Sequence, residues 1–179
     1  LGDVYKRQIQ QRPRDEVLSD LAGARLDLFE DLFARAWALL DSATQRVMLA
    51  LPLFPTSASA EALAHCADLP MAPLQRATDR LTSLSLLDIE RGDLLAHPRY
   101  NAHALVRAFA QARLAEAPEE ERARLHADWI AWCVSVAQAV GFCWDDLDRL
   151  NLLTSDYRTI QAAIHLAVAL QDDEATIAL

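Results

Sequence analysis

The sequence predicts a mainly α-helical chain carrying one small β-hairpin, and three observations predict it. Apolar residues recur at helical spacing in segment after segment, first at Phe29, Leu32, Phe33, Ala36, Trp37 and Leu40. Only four glycines occur in 179 residues, a composition that favours helices. One stretch breaks the period: Leu87 and Ile89 alternate with Asp88 and Glu90, as in a strand with one wet face.

The elements follow in order. Gln10 to Arg14 is polar and broken by Pro13, and reads as linker. In the first helix Glu30, Asp31 and Arg35 point away from the apolar stripe. Asp41 and Ser42 interrupt it. Ser42 with Gln45 fits a capping box, so a second helix starts there, turns Val47, Met48 and Leu51 inward, and stops at Pro52. Pro52 to Pro55 is a stiff apolar connector. Ser57 or Ser59 caps a short helix running to about Ala67. Pro70 and Pro73 mark the next helix, which buries Leu74, Ala77, Leu81 and Leu84. Then come the strand at Leu87–Glu90, a turn at Arg91–Gly92–Asp93, and a second strand over Leu94–Tyr100 that Pro98 confines to an edge. Asn101 caps a helix with Leu105, Val106, Phe109, Ala110 and Leu114 on its buried side. Helices closed by a β-hairpin wing describe a winged-helix domain.

Ala115–Pro118 breaks the chain. A long helix follows with Leu125, Trp129, Trp132, Val136 and Val140 on one stripe, ended by Gly141. Trp144–Asp145–Asp146 opens another segment. A last helix carries Ile160, Ala163, Ile164, Ala167 and Leu170 before the polar stop Gln171–Asp172–Asp173. Helices that pair antiparallel through short loops suit the start of an α-solenoid.

The chain is 53% hydrophobic and carries a formal charge of -9, so a packed core is expected and strong attraction to nucleic acid or anionic membrane is not. Cys66, Cys133 and Cys143 form no CxxC pair and are expected as buried thiols in helices. No apolar run reaches transmembrane length and no signal peptide is visible, so a cytoplasmic location is expected. The chain begins at Leu1, and Leu1–Gln8 resembles one reading frame of a transposon-end sequencing adapter. Natural coding is expected from near Ile9. Leu179 falls inside an expected helix pair, so the reading frame is expected to be truncated at both ends. The organisation is then an adapter-like tail and linker at 1–25, the winged-helix domain at 26–115, and a truncated helical region at 118–179.

Three segments carry a resemblance. Phe33–Leu40 with Gln45 and Leu53–Phe54–Pro55, then Leu81–Leu87, then Arg99–Ala110, stand in the order and spacing of the winged-helix part of bacterial STAND/NB-ARC signalling ATPases. Asp156–Tyr157 and Ala162–Ala163 ahead of Leu166–Leu170 are similar to the first helices of the tetratricopeptide (TPR)-like region that often follows. The resemblance implies a switch in signal transduction or transcriptional regulation. Such proteins hold ADP when closed and ATP when open and oligomerising, and the winged-helix domain covers the nucleotide. The family's histidine, commonly within Met-His-Asp, approaches the β-phosphate of ADP. Here the triplet is Ala102–His103–Ala104, so His103 keeps the position while the methionine and aspartate are absent. His103 is therefore the expected cofactor-binding residue. A histidine in the first turn of a helix capped by Asn101 would lie among free amides and the positive end of the dipole.

No GxxxxGK[ST] loop and no acidic strand end of the Walker B kind occurs, so ATP hydrolysis by this chain is not expected and no firm nucleotide binding by it alone. Asp145–Asp146 and Asp172–Asp173 read as solvated helix ends, and His65–Cys66 lacks a second ligand pair for a metal. The expected partners are a nucleotide-binding domain upstream in the same chain and proteins that dock on the helical repeats. The alternative is a stand-alone DNA-binding winged helix, with Leu74–Leu84 as recognition helix and Gln75, Arg76 and Arg80 facing the groove. Asp79 on that helix and the acidic total weigh against it.

Overall fold

The computed structural model describes residues 31–90, 98–140 and 147–179. The adapter-like tail and linker, Phe29 and Glu30, the turn at Arg91–Asp93 with the first part of the second strand, and the features at Gly141, Cys143 and Trp144–Asp146 lie outside the described residues. So does the side chain of Val140. The chain forms two compact units, Leu1–Leu39 and Leu40–Leu179. In the first, residues 31–38 are helical. Phe33, Ala36 and Trp37 are half-buried, but Leu32, expected on the same stripe, is exposed.

The second unit is mainly helical with a small antiparallel sheet. It contains α1 (Ser42–Ala50), a 3-10 turn (Leu51–Leu53), β1 (Ala58–Ser59), α2 (Ala60–Cys66), α3 (Met71–Ser83), β2 (Asp88–Glu90) and β3 (Arg99–Asn101). There follow α4 (Ala104–Glu116), α5 (Glu119–Val140), α6 (Leu147–Ala169) and α7 (Asp173–Ala178). This unit runs across the break at 115–118 that the sequence suggested as a domain boundary.

Local chemistry explains the starts of the helices. Asp41, not Ser42, caps α1: its backbone is extended and its Oδ1 accepts from the Thr44 amide at 2.8 Å. The expected capping box is therefore displaced by one residue, because the stronger carboxylate acceptor precedes the serine. Pro52 ends α1 by drawing the chain into the 3-10 turn. Ser59 caps α2 by accepting from the Ala62 amide at 3.1 Å, which leaves Ser57 for another partner. Asp172 caps α7, so Gln171–Asp173 is a junction between helices and not a stop.

The three strands lie in the order β1-β3-β2, antiparallel throughout. Tyr100 of β3 faces Ala58 on one side and Ile89 on the other. β3 is thus the central strand, where an edge strand was expected. Pro98 stands just ahead of it, so the missing proline N–H interrupts no ladder bond. The strand β1 had no separate signal, being two residues long.

One core fills the centre of this unit. Val47, Met48, Leu51, Phe54, Leu63, Leu74, Leu81 and Leu87 are among its most buried side chains. The buried stripes are narrower than periodicity suggested. Leu84 is half-buried because α3 already ends there. On α4 only Val106, Ala110 and Leu114 are buried. Leu105 is 37% exposed, and Phe109 is half-buried under the Arg113 guanidinium at 5.1 Å. On α5 the buried residues are Leu125, Trp129, Ile130, Cys133 and Val136, while Trp132 turns half outward and meets the His65 ring. On α6 Ile160, Ala163 and Ala167 are buried and Ile164 is half-buried, while Leu170, just past its end, is exposed. Among the described residues no helix is long and apolar enough to cross a membrane.

Candidate functional site

The candidate site is the start of α4 and the strand that leads into it. Asn101 ends β3, and its side chain is engaged twice. Its Nδ2 donates to Glu90 Oε1 at 3.2 Å, and its Oδ1 accepts from Arg107 Nη2 at 2.9 Å. A side chain clamped on both sides cannot cap the helix, so the expected Asn101 cap is not formed. His103 caps α4 instead. Its backbone is extended, its carbonyl accepts from the Arg107 amide at 2.9 Å, and its Nδ1 accepts from the Leu105 amide at 3.4 Å. The last bond is long and therefore weak.

This position changes the geometry expected for His103. The residue stands one step before the helix and not inside its first turn. When Nδ1 accepts this bond, the ring proton sits on Nε2, across the imidazole. The exposed ring thus presents an N–H donor beside the positive end of a 13-residue helix. An open groove lies along this end of α4, lined by Pro55, Thr56, Glu90, Asn101, Ala104 and Arg107 among others.

Arg107 is the second component, and nothing in its spacing marked it. Its guanidinium donates to the carbonyls of Leu51, Phe54 and Thr56 and to Asn101 Oδ1. It ties the end of α1 and its following loop to the β3–α4 junction. Desolvation draws its pKa down from the ordinary guanidinium value. With its Nη donors turned onto three backbone carbonyls and Asn101, Arg107 holds the site together at the edge of the groove.

The third component is a buried ion pair. Arg99 on β3 and Asp156 on α6 are 6% and 5% exposed, and 57 residues separate them in the chain. Arg99 Nη2 donates to Asp156 Oδ1 at 2.5 Å and Nη1 to Oδ2 at 3.5 Å. Nε donates to Ser57 Oγ and Nη2 to the Ser57 carbonyl, each at 2.9 Å. Ser57, one of two candidate helix caps in the sequence, is thus a ligand of Arg99. Both charged residues lie in segments that carry the family resemblance, but neither segment alone signals that they meet.

The residues of the DNA-binding alternative lie together on α3. Gln75, Arg76, Asp79 and Arg80 are all exposed. Gln75 Nε2 donates to Asp79 Oδ1 at 2.9 Å, and Arg76 and Arg80 lie close enough to Asp41 to help lower its pKa. The face is therefore of mixed charge. Cys66 and Cys133 are buried free thiols, as expected from the sequence. Among the described residues no three His, Cys, Asp or Glu side chains gather in a way that could hold a metal ion.

No family model matches the chain, and searches of curated proteins and of solved structures also return no match.

Proposed function

We propose that this chain is the winged-helix regulatory segment, with the opening helices of a TPR-like region, of a nucleotide-switched signalling protein of the STAND/NB-ARC type. The order helix, strand, helix, helix, strand, strand, with sheet order β1-β3-β2, supports the winged-helix reading. The long α5 and α6, packed against one another, support a repeat-like continuation. The observation that carries the function is His103: an exposed imidazole donor at a helix N-terminus, in register with the family's phosphate-contacting histidine.

In this reading the catalytic phosphate loop and magnesium site belong to a nucleotide-binding domain upstream in the same polypeptide. This chain supplies no hydrolytic residue. His103 Nε2–H donates to the β-phosphate of ADP and favours the closed state, and the helical region receives protein partners. The whole protein works in the cytoplasm as a signal-transduction or transcriptional regulator.

The first test is the genomic sequence upstream of Ile9. A phosphate loop within the preceding few hundred codons supports the reading. A native start codon nearby, with no nucleotide-binding domain, sinks it. In the full-length protein His103→Ala should speed ADP release by about tenfold, equivalent to about 1.4 kcal/mol, the scale of one charge-assisted hydrogen bond. Unchanged release would remove His103 from the contact. The alternative, a stand-alone DNA-binding protein using α3, is disfavoured by Asp41 and Asp79 beside its arginines.

A further inference from the structure

We infer that β3 is a strap that links α6 to His103, so that displacement of the helical region is delivered to the start of α4. One end of the strap is Arg99. Its guanidinium is committed to Asp156 of α6 and to Ser57 by four hydrogen bonds, and both members of the ion pair are buried. The other end is Asn101, bonded to Glu90 and Arg107, followed by buried Ala102 and then His103. Three residues lie between Arg99 and His103, and the four steps span at most about 13 Å of extended chain. The strand between them is paired on both edges, so it transmits displacement with little slack.

A buried ion pair is a poor source of net stability, because desolvation of both charges offsets their attraction. Its physical effect is specificity. α6 cannot slide against the sheet without stranding two charges in an apolar interior, so α6 and β3 must move together or separate completely. Arg107 completes the device at the far end, since it fastens Asn101 to the loop after α1. The destination of the movement rests on the proposed role of His103, whereas the mechanical link does not.

The test is native-state hydrogen exchange on the 179-residue chain in low denaturant. The expected result is that the Tyr100 and Asn101 amides open together with α6 amides near Asp156–Ile160, in one step. A second measurement uses Arg99→Met/Asp156→Leu, which replaces both charged groups by apolar side chains of similar shape. In that variant protection of the 100–107 segment should fall at least tenfold relative to α6. Independent opening of β3 and α6 in the unaltered chain overturns the inference, and so does a folded double variant that still opens them together. If the double variant does not fold, exchange in the unaltered chain decides alone. No nucleotide enters the measurement. Independent opening would therefore overturn the strap and leave the nucleotide-switch reading standing, and a missing upstream phosphate loop would do the reverse.

Discussion

Three helices end on a residue that is not glycine yet adopts the left-handed conformation: Asp68 (φ 49°), Ser85 (φ 57°) and Gln171 (φ 58°). Each closes a Schellman turn. Leu69 donates to Ala64, Leu86 to Leu81 and Asp172 to Ala167, at 2.9, 2.9 and 3.0 Å. Asp68 has further contacts, since Arg46 and Arg124 both approach it. Ser85 is exposed, so Ser85→Gly should relieve backbone strain and raise stability by about 0.5–1 kcal/mol in chemical denaturation. At the opposite end of a helix, Asp41→Ala should cost about 1 kcal/mol, and Asp41→Asn much less because the amide oxygen still caps. Hydrogen bonds from the Thr44 side chain and amide hold the Asp41 carboxyl below its ordinary 3.8, with smaller help from Arg76 and Arg80. Its contribution is therefore present above pH 3.8 and lost as pH falls through the lower folded value, which acid titration of wild type against Asp41→Asn would resolve.

Among the elements, α5 packs on α2 and so helps join the helical region to the sheet-bearing part. Trp129 is 2% exposed and meets Phe54 edge to face, with ring centres 6.4 Å apart. Trp129→Ala should cost about 3–5 kcal/mol, read as a lowered denaturation midpoint. Cys66 on α2 and Cys133 on α5 sit in the same core, and burial pushes both thiols up, that of Cys133 to about 12. Their contribution to stability is complete below the ordinary value of 9.0 and declines as pH rises above it. In a Cys143→Ser background, modification of both by a thiol reagent should proceed only as fast as the fold opens. Fast reaction of either in the folded protein would contradict this packing.

At the scale of the molecule, Leu40–Leu179 is one compact unit, and a single cooperative transition is expected across the break at 115–118. Tryptophan fluorescence and far-ultraviolet dichroism should give coincident denaturation curves. Two separated transitions would restore an independent boundary there. The acidic total and the mixed charge of the α3 face predict no salt-dependent shift of duplex DNA by this chain, even at low ionic strength. A shift that weakens steeply with salt would favour the DNA-binding alternative.

The sequence by itself determined most helices and many of the residues that face inward, because periodicity is a property of one segment. Val47, Leu74, Leu81, Val106, Leu114, Trp129 and Ala163 are buried as their spacing implied. It determined less about helix ends. Ser85 and Gln171 carry no glycine signal, and Asp41 competes with Ser42 for one cap. His103 was legible as a residue near a helix start, but its capping role depends on Asn101 being occupied by Arg107 and Glu90. Only the tertiary structure decided the two arginine clusters. A guanidinium among backbone carbonyls, or against a carboxylate 57 residues away, requires two distant segments to meet in a dry interior. No spacing rule within one segment records that meeting. For the same reason the central place of β3 emerged only when β1 paired with it, since two residues are too few to show alternation but enough to complete a sheet.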